Sequence, residues 1–170
     1  MQRVLVVIDM QNDFITGNLK NADAEAIIPS LVQTIETFDG AVLATRDTHE
    51  EDYLSTAEGK KLPVPHCIKG TNGWQIQKDI AQALAKRNAV ILDKPTFGNL
   101  DWRVLNDVDE IVLTGTCTDI CVVSNALILK ATYPDATVRV VKDLCAGTSK
   151  ENHESALAVM ACCQVEIVSL

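Results

Sequence analysis

Apolar residues gather into six short runs along the chain, at positions 4–8, 41–45, 90–92, 111–114, 138–141 and 165–168, rich in valine, isoleucine and leucine. Runs this short and this largely apolar predict strands buried on both faces. Between them the spacing changes. Ile27, Ile28, Leu31, Val32 and Ile35, and then Ile76, Ile80, Ala83 and Leu84, recur at three and four residues and so mark stripes on helices. Thr148, with Glu151 three residues on, predicts a capping box before a last helix carrying Ala156, Leu157, Val159 and Met160. The alternation implies βαβ units and an α/β fold with a parallel sheet flanked by helices. Open sheets of this kind bind ligands beyond the carboxyl ends of their strands, so polar residues just after each run are the first candidates for chemistry.

Length and composition narrow the picture. A chain of 170 residues, 47% hydrophobic and 22% charged, without repeat or linker, predicts one domain over 1–170. Fifteen basic against 23 acidic residues give a net charge of −8, and no basic run exceeds Lys60-Lys61. Nucleic acid and anionic membranes are therefore excluded as expected partners. The first apolar run is too short for a signal peptide or a membrane span, which predicts a cytoplasmic protein. The six cysteines then read as reduced thiols. Adjacent Cys162 and Cys163 fall in the last helix, where they are expected to pack.

Three residues far apart in sequence are expected at one sheet edge: Asp9 after the first run, Lys94 after the third, and Cys121 in the turn after the fourth. Singly, each reads as ordinary, an Asx turn, a solvated lysine and a small helix residue. Together they suit nucleophilic catalysis, because a thiol of pKa about 8.5 needs a cation or a helix N-terminus to become a useful thiolate. Residues 115–122 pass from strand through a polar turn into a helix, whose unpaired N–H groups also suit an oxyanion.

Asp47, His49 and His66 form a second candidate set, using two of the three histidines. One carboxylate and two imidazoles suit a divalent ion with an open position, and a turn aspartate with surface histidines is the plain alternative. Glu58, in the loop between them, is a candidate additional ligand. His153 is expected on the last helix as a surface or packing residue, and Trp74 and Trp102 in the core. Phe14 and Phe97 lie in loops beside the Asp9 and Lys94 segments, placed to wall a pocket.

The segments Val7-Ile8-Asp9-Met10-Gln11-Asn12-Asp13-Phe14, Thr45-Arg46-Asp47-Thr48-His49, Pro65-His66-Cys67, Asp93-Lys94-Pro95-Thr96-Phe97 and residues 115–122 occur in one order across most of the chain. In that order they resemble the isochorismatase-like cysteine hydrolases, the nicotinamidases above all. The resemblance implies a three-layer fold around a six-stranded parallel sheet and an Asp9/Lys94/Cys121 triad that cleaves a small amide through a thioester. It also implies a cis peptide between Thr116 and Cys117, with the amides of Cys117 and Cys121 facing the oxyanion. A divalent metal held by Asp47, His49 and His66 would orient the substrate, with zinc expected and iron or manganese compatible. Self-association is expected too. Two positions depart from the nicotinamidase pattern: Pro63 and Ile120 stand where tryptophan and an aromatic are common, so the aromatic walls around a ring are thinner. Other amide or ureide substrates, and isochorismatase-type hydrolysis, are the neighbouring alternatives.

Two rival classes follow from the same residues. Aspartyl-phosphate phosphohydrolases also place an aspartate after the first strand, but Gln11 stands where their second aspartate belongs. A non-catalytic metal or thiol module would keep the fold without turnover.

Overall fold

The computed structural model describes residues 2–170. Six strands, β1 (Arg3–Ile8), β2 (Ala41–Asp47), β3 (Val90–Lys94), β4 (Glu110–Thr116), β5 (Thr137–Ala146) and β6 (Glu166–Val168), form one sheet in the order β3-β2-β1-β4-β5-β6. Every pairing is parallel. The helices are α1 (Asn12–Ile15), α2 (Ala22–Ala26), α3 (Ile28–Thr37), α4 (Ala57–Lys61), α5 (Lys78–Lys86), α6 (Val123–Thr132) and α7 (Lys150–Cys162). All six expected runs are strands.

Alternation along β1 builds the three layers. Val4, Val6 and Ile8 pack in one core with Val122, Ala126 and Leu129 at α6 and Leu157 and Met160 of α7. Leu5 and Val7 point the other way, into a core with Leu31 and Ile35 of α3 and Ile80 and Leu84 of α5. The chain winds outward from β1 to β3, then returns to β4 on the other flank of β1, so the strand order reverses beside β1. That reversal opens the crevice in which the candidate residues lie.

Four expectations change. The two edge strands, β3 and β6, are not buried on both faces: Val90 and Ile91 of β3 are 46% and 42% exposed and Glu166 of β6 is exposed, because each has a neighbour on one side only. The last helix is capped by Ser149, whose side chain accepts from Asn152 N, while the Thr148 amide donates to Asp119. Cys162 and Cys163 are exposed, outside the buried face of α7 formed by Ala156, Leu157 and Met160. Trp74 is half-buried outside both cores, with Arg46 stacked 3.7 Å from its ring, whereas Trp102 is in the core. All six cysteines are free. Among the described residues, no helix is long and apolar enough to cross a membrane.

Candidate active site

Strand register brings the first residues together. Asp47 and Lys94 end β2 and β3 as direct partners, and Asp9 follows β1 with its amide donating to Thr45 O. Pairing of Ile8 with Gly115 sets the end of β4 at the same level. Gly115 has φ of +110°, and a Cβ there would lie 2.1 Å from Ile8 O, so only glycine allows the two backbones to meet. Between Leu113 and Gly115 the pairing with β5 shifts, which re-aims the chain into the turn at 116–121. The Thr116-Cys117 peptide is cis, and residues Thr118–Val122 form one π-helical turn that runs into α6. π-turns interrupt helices frequently at functional sites.

Asp9, Lys94 and Cys121 converge. Lys94 Nζ lies 2.6 Å from Asp9 Oδ2, 3.6 Å from Cys121 Sγ and 3.4 Å from Asp47 Oδ1, and it donates to Thr96 O at 3.1 Å. Asp9 Oδ1 accepts from Thr45 Oγ1 at 2.6 Å. Both charged groups are fully buried, and Cys121 is 4% exposed. Burial pulls the Lys94 ammonium down, but Asp9, Cys121 and Asp47 outweigh it and hold the lysine above its usual range. Burial pushes Asp9 up, Lys94 opposes and Asp47 adds, leaving the carboxyl raised. The Cys121 thiol is pushed well up by burial and by Asp9, against the pull of Lys94. With Lys94 positive, Asp9 and Cys121 therefore compete for one proton and titrate together.

The second set converges beside the first. Asp47 Oδ2 lies 2.9 Å from His49 Nε2 and 3.6 Å from His66 Nε2. Among the described residues, Asp47, His49 and His66 form the one buried cluster with metal-ligand spacing, its ligand atoms all within 4.8 Å of one another. Metal bonds of about 2.0–2.2 Å require ligand atoms at such separations. His66 Nδ1 donates to Val64 O at 2.8 Å, which turns Nε2 toward the cluster. Glu58 Oε1 lies 3.7 and 3.8 Å from the two Nε2 atoms. Burial pushes Asp47 up, yet its contacts with His49 and His66 and the charge of Lys94 hold it below the ordinary carboxylate range. The residues fit a divalent cation.

A cavity of about 600 Å³ is lined by members of both sets. Its lining includes Cys117 and Cys121, the polar Asp47, Glu58 and His66, and the apolar Phe14, Phe97, Ile120 and Leu62. The candidate pocket residues are thus gathered in one place. Phe14 also packs against the His66 ring, with centroids 5.6 Å apart.

An isochorismatase-domain family model matches residues 3–170. The chain belongs to the isochorismatase family. Within that family it is 30% identical to the nicotinamidase/pyrazinamidase of Mycobacterium tuberculosis, over 98% of each chain. Its fold matches the pyrazinamidase/nicotinamidase of Streptococcus mutans at a TM-score of 0.84 and 30% identity, covering 98% of this chain and all of that one. The pyrazinamidase of Pyrococcus horikoshii, solved in complex with zinc, matches at 0.82 and 27% identity over both full chains.

Several residues that build this isochorismatase-family site carry no such role in the sequence reading. Gln11 grips Asp47 from both ends of its amide, donating to Asp47 O at 2.8 Å and accepting from Asp47 N at 2.7 Å. Asp13 accepts from Cys67 N at 2.8 Å and so fixes the loop that carries His66. Gln11, Asp13 and Thr45 all lie inside the conspicuous segments, so their position was the available signal. His153 is no idle surface residue: its Nδ1 meets Thr118 Oγ1 at 2.8 Å and braces the π-turn.

Proposed function

We propose that this protein is a nicotinamidase-type amidohydrolase that converts nicotinamide and water to nicotinate and ammonia, using Cys121 as nucleophile. One observation carries the reading: a buried ammonium touches both a buried carboxylate and a buried thiol, and that thiol lines a cavity that also presents Asp47 and His66. Nicotinamidase relatives support the substrate class.

In the proposed reaction Asp9 takes the Cys121 proton as the sulfur attacks the amide carbonyl, and Lys94 stabilises the negative charge shared by carboxylate and thiolate. Backbone N–H groups of Cys117 and Cys121 receive the oxyanion of the tetrahedral intermediate. Asp9 then hands the proton to departing ammonia, leaving a thioester on Cys121. A water deprotonated by Asp9 attacks that thioester, the C–S bond breaks, and the thiolate regains the proton as acid is released. The raised carboxyl of Asp9 suits both exchanges, since a proton donor and acceptor works best near the operating pH.

Asp47, His49 and His66 would hold the divalent ion, with Glu58 close enough to assist. When bound, such an ion supplies a Lewis-acid anchor for a ring nitrogen or for ordered water. The zinc complex of the Pyrococcus horikoshii pyrazinamidase supports zinc as its identity. Phe14, Phe97 and Ile120 would flank the ring. The single domain spans 1–170, and its six free thiols support a reducing, cytoplasmic setting. Exposed Val90 and Ile91 on the edge strand support self-association.

The test is ammonia release from a panel holding nicotinamide, aliphatic amides and a ureide, beside pyruvate release from an isochorismate-type vinyl ether. Turnover led by nicotinamide and lost in Cys121→Ala is the expected result. No ammonia from any amide, or phosphate release from an aryl phosphate that survives Cys121→Ala, overturns it.

A further inference from the structure

Asn125 is wholly buried one turn beyond Cys121 in α6, a place where an apolar residue would serve packing better. Its side chain is fully engaged. Oδ1 accepts from Asn99 N at 2.8 Å, and Nδ2 donates to Cys121 O at 2.8 Å and to Phe97 O at 3.2 Å. One amide group thus ties the loop at 97–99 to the helix that carries the nucleophile. Gly98 reports the same closeness from another direction, since a Cβ there would lie 2.4 Å from Ile128 Cδ1 on α6. From its other end the loop is held by Lys94, which donates to Thr96 O, and by Thr96 Oγ1, which donates to Gly98 O at 2.8 Å. Phe97 itself is 45% exposed and lines the cavity, so its own packing does little to fix it.

We propose that Asn125 is a positioning residue that sets the Phe97 wall of the pocket relative to Cys121, and so governs recognition of a flat aromatic amide. This rests on the amidase reading. Because the anchored atoms are backbone groups, two in the loop and the Cys121 carbonyl, and none is the reacting thiol, loss of the anchor should weaken binding of the ring more than it slows chemistry.

The experiment compares Asn125→Ala, Phe97→Leu, their combination and Thr96→Val in the metal-replete full chain. Expected for Asn125→Ala and Phe97→Leu is a rise in KM for nicotinamide of about tenfold with kcat within threefold. The double variant should be no worse than the more affected single, because both changes remove one function. Thr96→Val, which frees the Gly98 carbonyl from its hydrogen bond while sparing Asn125, should raise KM likewise and covers the case in which Asn125→Ala does not fold. Alkylation of Cys121 by iodoacetamide, resolved by peptide mass spectrometry, should stay within twofold in every variant. Its reaction with an aromatic disulfide reagent should change at least fivefold in Asn125→Ala and Phe97→Leu. Unchanged KM in the folded variants, additive effects in the double variant, or an equal loss of kcat and iodoacetamide reactivity overturns the proposal. If wild-type protein releases no ammonia, the amidase reading fails on its own, and the two labelling rates still decide the role of Asn125.

Discussion

Lys94 Nζ sits 2.6 Å from Asp9 Oδ2 with both side chains sealed from solvent, and the same ammonium reaches Cys121 Sγ at 3.6 Å. A buried pair is costly to break from one side, because the remaining charge keeps its desolvation penalty without its partner. Lys94→Met should therefore cost about 3–5 kcal/mol and lower Tm by roughly 6–20 °C for a chain of this size. Cys121→Ala, which leaves the pair intact, should cost far less. Thermal melts of the two variants check this, and equal melts would mean that the pair is not buried as described.

The metal cluster predicts a response to chelation. Dialysis against a strong chelator should remove one divalent ion per chain and lower ammonia release at least tenfold, with zinc restoring it. Asp13→Ala should weaken metal binding by about 10–100-fold, the usual effect of losing an outer partner, since Asp13 holds Cys67 N next to His66. Competition with a chromophoric chelator measures both, and unaltered turnover in metal-free protein would contradict the assignment.

Gly115 offers a test of how the sheet aims the nucleophile turn. Gly115→Ala places a Cβ against the Ile8 carbonyl and forces a side chain into a left-handed conformation. The expected loss is about 3 kcal/mol or more, read by urea unfolding, with activity falling in the fraction that folds.

At the opposite edge of the sheet, Glu110 is buried between Arg3 and Arg139, bridging β1, β4 and β5. Burial raises its carboxyl, but the two arginines outweigh this and hold it below the usual value of 4.5. A carboxylate depressed in the fold stabilises fully above its unfolded pKa, and that stability fades as pH falls through the lower folded value. Both arginines are about one-third exposed, so solvent screening limits the effect to the order of 1 kcal/mol. Wild type should exceed Glu110→Gln in stability at pH 6, with the gap closing below about pH 4.5. A gap independent of pH in urea melts would refute this.

Much of the fold was legible because buried parallel strands leave short, largely apolar runs. The run at 90–92 misled on burial, since sheet order decides which strand lies at the edge and no local pattern records that order. Asp9, Lys94 and Cys121 were visible as chemistry-bearing residues just beyond runs, and Asp47, His49 and His66 by ligand type. Their partners were harder to read. Thr45 meets Asp9 across 36 positions, and Asn125 meets Asn99 across 26, through contacts set by register and loop path. The shift from Thr148 to Ser149 as cap arises because Asp119 claims the Thr148 amide and hydroxyl, a contact between distant segments that a capping motif does not encode.

Rapid mixing with nicotinamide, acid quench and peptide mass spectrometry tests the central chemistry most directly. The nicotinoyl group should be found on Cys121 alone, forming no more slowly than ammonia is released and absent in Cys121→Ala and Asp9→Asn. Full ammonia release from Cys121→Ala, or an acyl group on a different residue, would contradict the account.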